Sequence, residues 1–171
     1  VDQRPTPLLL ARLPSVTNGD LKIESARVQE GDLVVDAFGA TLALQPGVQY
    51  WKVDGSGMAT YSGGEVDMLQ ATSRFEFVSG LTWSDGTPLV HPDYSAGYAA
   101  LCLPVGEYLY PLFGCEDIGE IYFDSEKSIR IVWRPGYLAL NVLPPFIHMP
   151  SQFRLPEGGT LGERAGEMQS M

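Results

Sequence analysis

The chain has 171 residues, 44% of them hydrophobic and 19% charged, and a formal net charge of −10. That length suits one domain or a sizeable piece of a larger protein, able to bury roughly 70% of its unfolded surface. The acidic balance argues against a nucleic-acid partner, because no basic stripe is present to release counterions from phosphates. No apolar run approaches the ~20 residues that cross a bilayer.

Nineteen glycines and 13 prolines predict many turns and short strands, hence an α+β fold that is mainly antiparallel β. We expect a single β-rich unit over residues 1–156 and a frayed, Gly-rich tail over 157–171. Val1 is not an initiator methionine and no signal-peptide pattern precedes it, so the chain reads as mature or as cut from something longer.

Residues 1–20 read as an extended opening segment. Pro5, Pro7 and Pro14 forbid regular helix there, and Leu8, Leu9, Leu10 and Leu13 call for burial. Asn18-Gly19-Asp20 is a hairpin signal. Candidate strands at 21–29, 32–37 and 41–44 predict a small antiparallel meander within residues 21–50. Residues 54–64 hold four glycines, but no Lys-Ser/Thr and no helix follow them, so they read as plain loop rather than a phosphate cradle.

The main sheet is expected over 65–153, on a long strand spanning 66–78. Leu69, Ala71, Ser73, Phe75 and Phe77 fall on one face of it, and Gln70, Thr72, Arg74 and Glu76 on the other. A tight turn follows at Trp83-Ser84-Asp85-Gly86-Thr87-Pro88. In it Asp85 bonds its own backbone two residues on, Gly86 supplies a positive φ, and Pro88 presets the exit. Residues 93–103 form the helix candidate, with Asp93 as N-cap and Tyr94, Tyr98 and Leu101 on one face.

Cys102 and Cys115 stand thirteen positions apart. They either close a loop worth ~3 kcal/mol in an oxidising compartment or remain two buried thiols. The loop at 104–116 is hydrophobic, and its run from Tyr108 to Phe113 is either a binding surface or packed away. A hairpin then joins 118–123 to 128–134, with Ile129, Ile131 and Trp133 on one side and Arg130 and Arg134 on the other.

The string from Phe77 to Leu89, FVSGLTWSDGTPL, resembles the extracytoplasmic solute-binding proteins of ABC importers, in the peptide/nickel-binding branch (family 5). Three further likenesses fall in the family's order. Upstream lies P-L-L-L-A-R-L-P-S-V-T-N-G-D, and downstream lie S-I-R-I-V-W-R-P-G-Y and P-P-F-I-H-M-P-S-Q-F. The chain departs from the pattern where V-H-P-D replaces T-A-x-D at the helix start, and where His148 precedes Met149-Pro150. The family's later G-P-Y segment is missing.

The resemblance therefore implies the inserted subdomain of the N-terminal lobe, a scaffold or one wall of a cleft closed by other lobes. It implies a peptide-like solute, an ABC permease as partner, and a periplasmic or cell-surface location, lipid-anchored in the parent. Residues expected to touch solute are Tyr94 and Tyr98, then Trp83, since amphipathic aromatics suit a mixed ligand. The competing reading makes all three core, with Trp83 beneath the Asp85-Gly86 turn.

No catalyst is expected. His91 and His148 lie near serines but no nucleophile elbow exists, and neither cysteine sits in a nucleophile context. No cofactor or metal is implied, because C-x₂-C and H-x₃-H spacings are lacking. A function of a different class is a standalone cell-surface interaction module using the 108–113 loop.

Overall fold

The structure, a computed structural model, describes residues 9–102, 115–125 and 127–138, with 151, 152, 154, 158–160 and 163. In chain order its elements are β1 (Leu21–Val28), β2 (Leu33–Val35), β3 (Thr41–Ala43), β4 (Gln49–Trp51), β5 (Met58–Thr60), β6 (Val66–Glu76), α1 (His91–Cys102), β7 (Ile118–Ser125) and β8 (Ser128–Trp133). Among the described residues the fold is mainly antiparallel β with one short helix, the class the composition predicts.

β6 is the axis. In a four-stranded sheet of order β1-β6-β8-β7 it pairs antiparallel with β1 from Leu21↔Ser73 to Val28↔Val66. On its other side it pairs with β8 from Thr72↔Val132 to Glu76↔Ser128. The expected alternation holds from Ala71 onward: Ala71, Ser73, Phe75 and Phe77 are buried and Arg74 is exposed. β8 matches it with Ile129, Ile131 and Trp133 buried on the same face. Trp133 brings an indole N–H into that core, and its Nε1 donates to Ser73 Oγ at 2.9 Å, which removes the cost of an unpaired donor. β7 closes the sheet, but its pairing with β8 slips between Ile118 and Glu120 and again between Phe123 and Ser125.

The start of the chain departs from the expected hairpin. Leu10 bridges Phe77 and the Ala11 N–H donates to Glu76 O at 2.7 Å, so this segment pairs with the continuation of β6. β1 then rejoins the same edge after an excursion over residues 12–20. Asn18 ties that excursion together, accepting the N–H of Ser15 and of Asp20 and donating to Leu13 O. Arg12 closes its base by gripping the buried Asp20 carboxylate at 2.5 and 2.9 Å. The chain does turn at Val16–Gly19, where Gly19 N–H donates to Val16 O, but both flanks hydrogen-bond β6 as well as each other.

The meander expected within 21–50 is also corrected, because 21–28 belongs to the main sheet. β2 and β3 form a separate ribbon, and a second ribbon, β4–β5, occupies part of what read as loop at 54–64. Three-residue strands set among glycines carry too few alternations to register as a period. The ribbons join where the Ala37 N–H donates to Gln49 O at 2.8 Å.

Two hydrophobic clusters result. The larger gathers Leu10, Phe75, Phe77, Tyr94, Ile129, Ile131 and Trp133, among others, between the sheet and α1. The smaller gathers Val28, Val34, Leu44, Val48, Tyr61 and Met68 between the ribbons and the start of β6. Met68 has the parity of the wet residues Gln70, Thr72 and Arg74, yet it is 1% exposed. β6 thus buries one face along its second half and the opposite face at its first turn of pleat.

The Pro135-Gly136 step locks the two clusters together. Val35 N–H donates to Pro135 O and Gly136 N–H donates to Leu69 O, both at 2.8 Å, so this segment is threaded between β2 and β6. Gly136 has φ +94°, and a Cβ there would meet Val35 O at 2.0 Å and Met68 Cε at 2.8 Å. Only glycine satisfies both the backbone angle and the space. Tyr137 then stacks on Trp133 with centroids 4.7 Å apart.

Candidate functional site

The Trp83 turn folds as the sequence predicts. Trp83 N–H donates to Thr87 O at 2.8 Å, Gly86 N–H to Trp83 O at 3.0 Å, and Leu89 N–H to Leu81 O at 2.9 Å. Asp85 Oδ1 accepts both the N–H and the hydroxyl of Thr87, which hold its carboxyl below the ordinary range. The Trp83 side chain is half-buried and tied to the helix start, its Nε1 donating to Asp93 Oδ2 at 3.0 Å.

Asp93 is the node of this region. α1 begins two residues earlier than expected, with Pro92 in the first turn, where a missing N–H costs nothing. That places Asp93 at the third helical position instead of the N-cap. From there it reaches back to accept the Val90 N–H at 2.9 Å, the acidic half of a capping box. Its other oxygen accepts the Ser151 N–H at 2.7 Å. The group is 1% exposed. Burial pushes its pKa up, but the Ser151, Val90 and Trp83 hydrogen bonds outweigh that and leave it below the usual carboxylate value.

Tyr94, expected against solute, is instead a core residue. It is 2% exposed and stacked on Phe77 with centroids 4.3 Å apart, and burial with the adjacent Asp93 charge raises its pKa to about 12. Tyr98 is half-buried one turn later against the same cluster. Burial raises its pKa while the Arg134 charge pulls the other way. The structure therefore brings Trp83, Asp93 and Tyr94 together as a structural knot. Cys115 is buried and disulfide-bonded. The side chains of Cys102 and His91, together with His148 and the 108–113 loop, lie outside the described residues. Among the described residues no group of three or more His, Cys, Asp or Glu is placed to hold a metal ion, and no helix is long and apolar enough to cross a membrane.

Concavities lie elsewhere among the described residues, and sequence reasoning missed the two described next. One is a notch of about 350 Å³ between the β2–β3 turn, Trp51 and the Gly136–Leu138 segment. Beside it Phe38 is 74% exposed at the tip of a turn fixed by Asp36, whose Oδ1 accepts the Phe38 and Ala40 N–H groups. Trp51 is 46% exposed and oriented by its Nε1 donating to Ala37 O. A large aromatic at the centre of an Asp-x-x-Gly turn was the signal that could have marked this notch. The other is a polar groove of about 420 Å³ on the wet face of the main sheet, lined by Lys22, Glu24, Thr72, Arg74 and Arg130 together with Gly19, Asp20 and Asp124. The sequence put Arg74 and Arg130 on wet faces of separate strands but held no register to set them side by side.

Comparison with protein-family models, with curated proteins and with solved structures returned no match for this chain.

Proposed function

We propose that the chain is one wall of the ligand cleft in the extracytoplasmic solute-binding component of an ABC importer, of the peptide-binding family 5 type, and that it acts mainly as scaffold. The observation that carries this reading is the engagement of the residues at the centre of the resemblance. Trp83 and Asp93 bond each other, Tyr94 lies in the core, and the Arg134-Pro135-Gly136-Tyr137 string forms the junction between clusters. Residues so committed position a lobe and leave the grip on a peptide-like solute to the facing lobes, which close by hinge motion. An oxidised Cys115 fits an oxidising compartment. The partner in transport is the permease, and the role is binding rather than catalysis.

Calorimetry tests this with di- to pentapeptides on a longer parent and on these 171 residues alone. The expected result is heat for the parent, with affinity at least about a hundredfold weaker for the isolated chain. Equal affinity in the two proteins would overturn the scaffold assignment.

The Phe38–Trp51 notch favours a second reading, a cell-surface interaction module, because a rigidly presented aromatic beside an apolar hollow suits a protein partner. Under that reading Phe38→Ser abolishes partner binding and no peptide heat is found in any parent.

A further inference from the structure

We propose that the wet face of the four-stranded sheet carries a binding site for a small organic carboxylate, centred on Arg74 with Arg130 and Lys22 beside it. The site is independent of the importer reading. Arg74 and Arg130 are direct partners in the β6–β8 register. Side chains so paired stand with Cβ atoms about 5 Å apart, where like charges repel.

Arg130 is compensated. Its guanidinium donates to both oxygens of Asp124 at 3.1 and 3.2 Å and lies 4.1 Å over the Tyr122 ring. Tyr122 is itself tethered through its hydroxyl to Glu120. Arg74 is exposed and makes no ion pair among the described residues. Its neighbour across the other edge, Asp20, is already taken by Arg12.

The acids lining the groove are thus unequal in what they can do. Asp124 is paired with Arg130, and Asp20 shares the Arg12 guanidinium with Glu76, which leaves Glu24 facing Lys22 and Arg74, neither of them ion-paired among the described residues. Among the lining residues outside these ion pairs the charge is therefore positive, Lys22 and Arg74 against Glu24, on a chain whose net charge is −10. That contrast selects the size of the anion. A polyanion meets repulsion from the whole surface, whereas a monoanion within about 8 Å of the arginines feels mainly their local field. The planar fork of Arg74 matches a carboxylate two oxygens at a time, and the Thr72 hydroxyl lines the same groove. A peptide C-terminus and a free organic acid share this chemistry.

The test is a titration of the full chain by NMR, following backbone amides and arginine Nε–H signals, with N-acetylalanine, N-acetylalaninamide, acetate and inorganic phosphate as probes. N-acetylalanine is expected to shift Lys22, Thr72, Arg74 and Arg130 together, with a dissociation constant on the order of millimolar. N-acetylalaninamide should leave them unmoved. If acetate binds as well as N-acetylalanine, the site takes free organic acids. If N-acetylalanine binds several-fold tighter, it takes peptide ends. Arg74→Gln should weaken binding about tenfold without lowering the thermal midpoint, because it also removes the like-charge pair. Arg74→Lys should recover only part of the affinity. The proposal is overturned if no shifts localise to these residues, if Arg74→Gln binds as tightly as wild type, or if phosphate is the strongest ligand.

Discussion

The two hydrophobic clusters lie on opposite faces of β6 and are held by different means. The larger rests on long pairings, since β1, β6 and β8 supply continuous ladders, β7 adds an interrupted one, and α1 contributes Tyr94 and Tyr98 to the same cluster. The smaller is closed on one side by the two ribbons, whose four strands have three residues each, over Val28 of β1 and Met68 of β6. A ribbon that short has no independent stability in water. What holds it is side-chain burial, with Val34 and Leu44 fully buried and Tyr61 bonded through its hydroxyl to Gly64 O, against a floor made by Met68. The difference teaches that the ribbons lean on the sheet through Val28, Met68 and Gly136, while the larger cluster draws only Val35 from them.

Breaking the joint should have the largest effect. Gly136→Ala drives a Cβ into Val35 O at a positive φ, and we expect a loss of about 4 kcal/mol, measured by urea unfolding. Full stability in this variant would show that the Pro135–Gly136 segment relaxes freely and joins nothing.

The next effect separates the clusters. Met68→Ala and Ile131→Ala should each cost about 3 kcal/mol, but hydrogen exchange should tell them apart. Met68→Ala should speed exchange at Val34, Leu44 and Tyr61 and leave Ile129 and Phe75 protected. Ile131→Ala should loosen both regions, because the dependent one loses its support. Equal loosening by both variants would mean a single cooperative unit.

The smallest effect is acid-dependent and confined to the larger cluster. Asp93 titrates below the ordinary range when folded, so the stability its charge confers is whole above about pH 4 and is lost as pH falls through the folded value. Asp93→Asn should therefore cost about 2 kcal/mol at neutral pH, with the gap to wild type closing in acid. A gap that stays constant down to about pH 2 would contradict the three hydrogen bonds to the ionised carboxylate.

Much of the larger region could be read from residue order. The alternation from Ala71 to Phe77, the Ser128–Trp133 partner strand and the Trp83–Pro88 turn each carry their own local chemistry. The rest depended on tertiary neighbours. Met68 has wet-face parity and is buried only because the ribbons cover that side. Asp93 signals a helix start from either the N-cap or the third position, and the choice turned on Pro92 being tolerated in the first turn. For the candidate sites, aromatic character pointed to Tyr94, which a core needs as much as a ligand does. The juxtaposition of Arg74 with Arg130 exists only once positions 56 residues apart come into register.

The slips in β7 bear on how copies of this chain treat one another. β1 and β7 are the two outer strands, and an outer strand with regularly spaced free amides and carbonyls invites a second molecule to extend the sheet. β7 is interrupted twice and carries Glu120 and Asp124, while β1 displays Lys22, Glu24 and Arg27. Among the described residues, β1 is unbroken but charged and β7 is both charged and interrupted, so each border of the main sheet carries a feature that works against strand addition by a second copy.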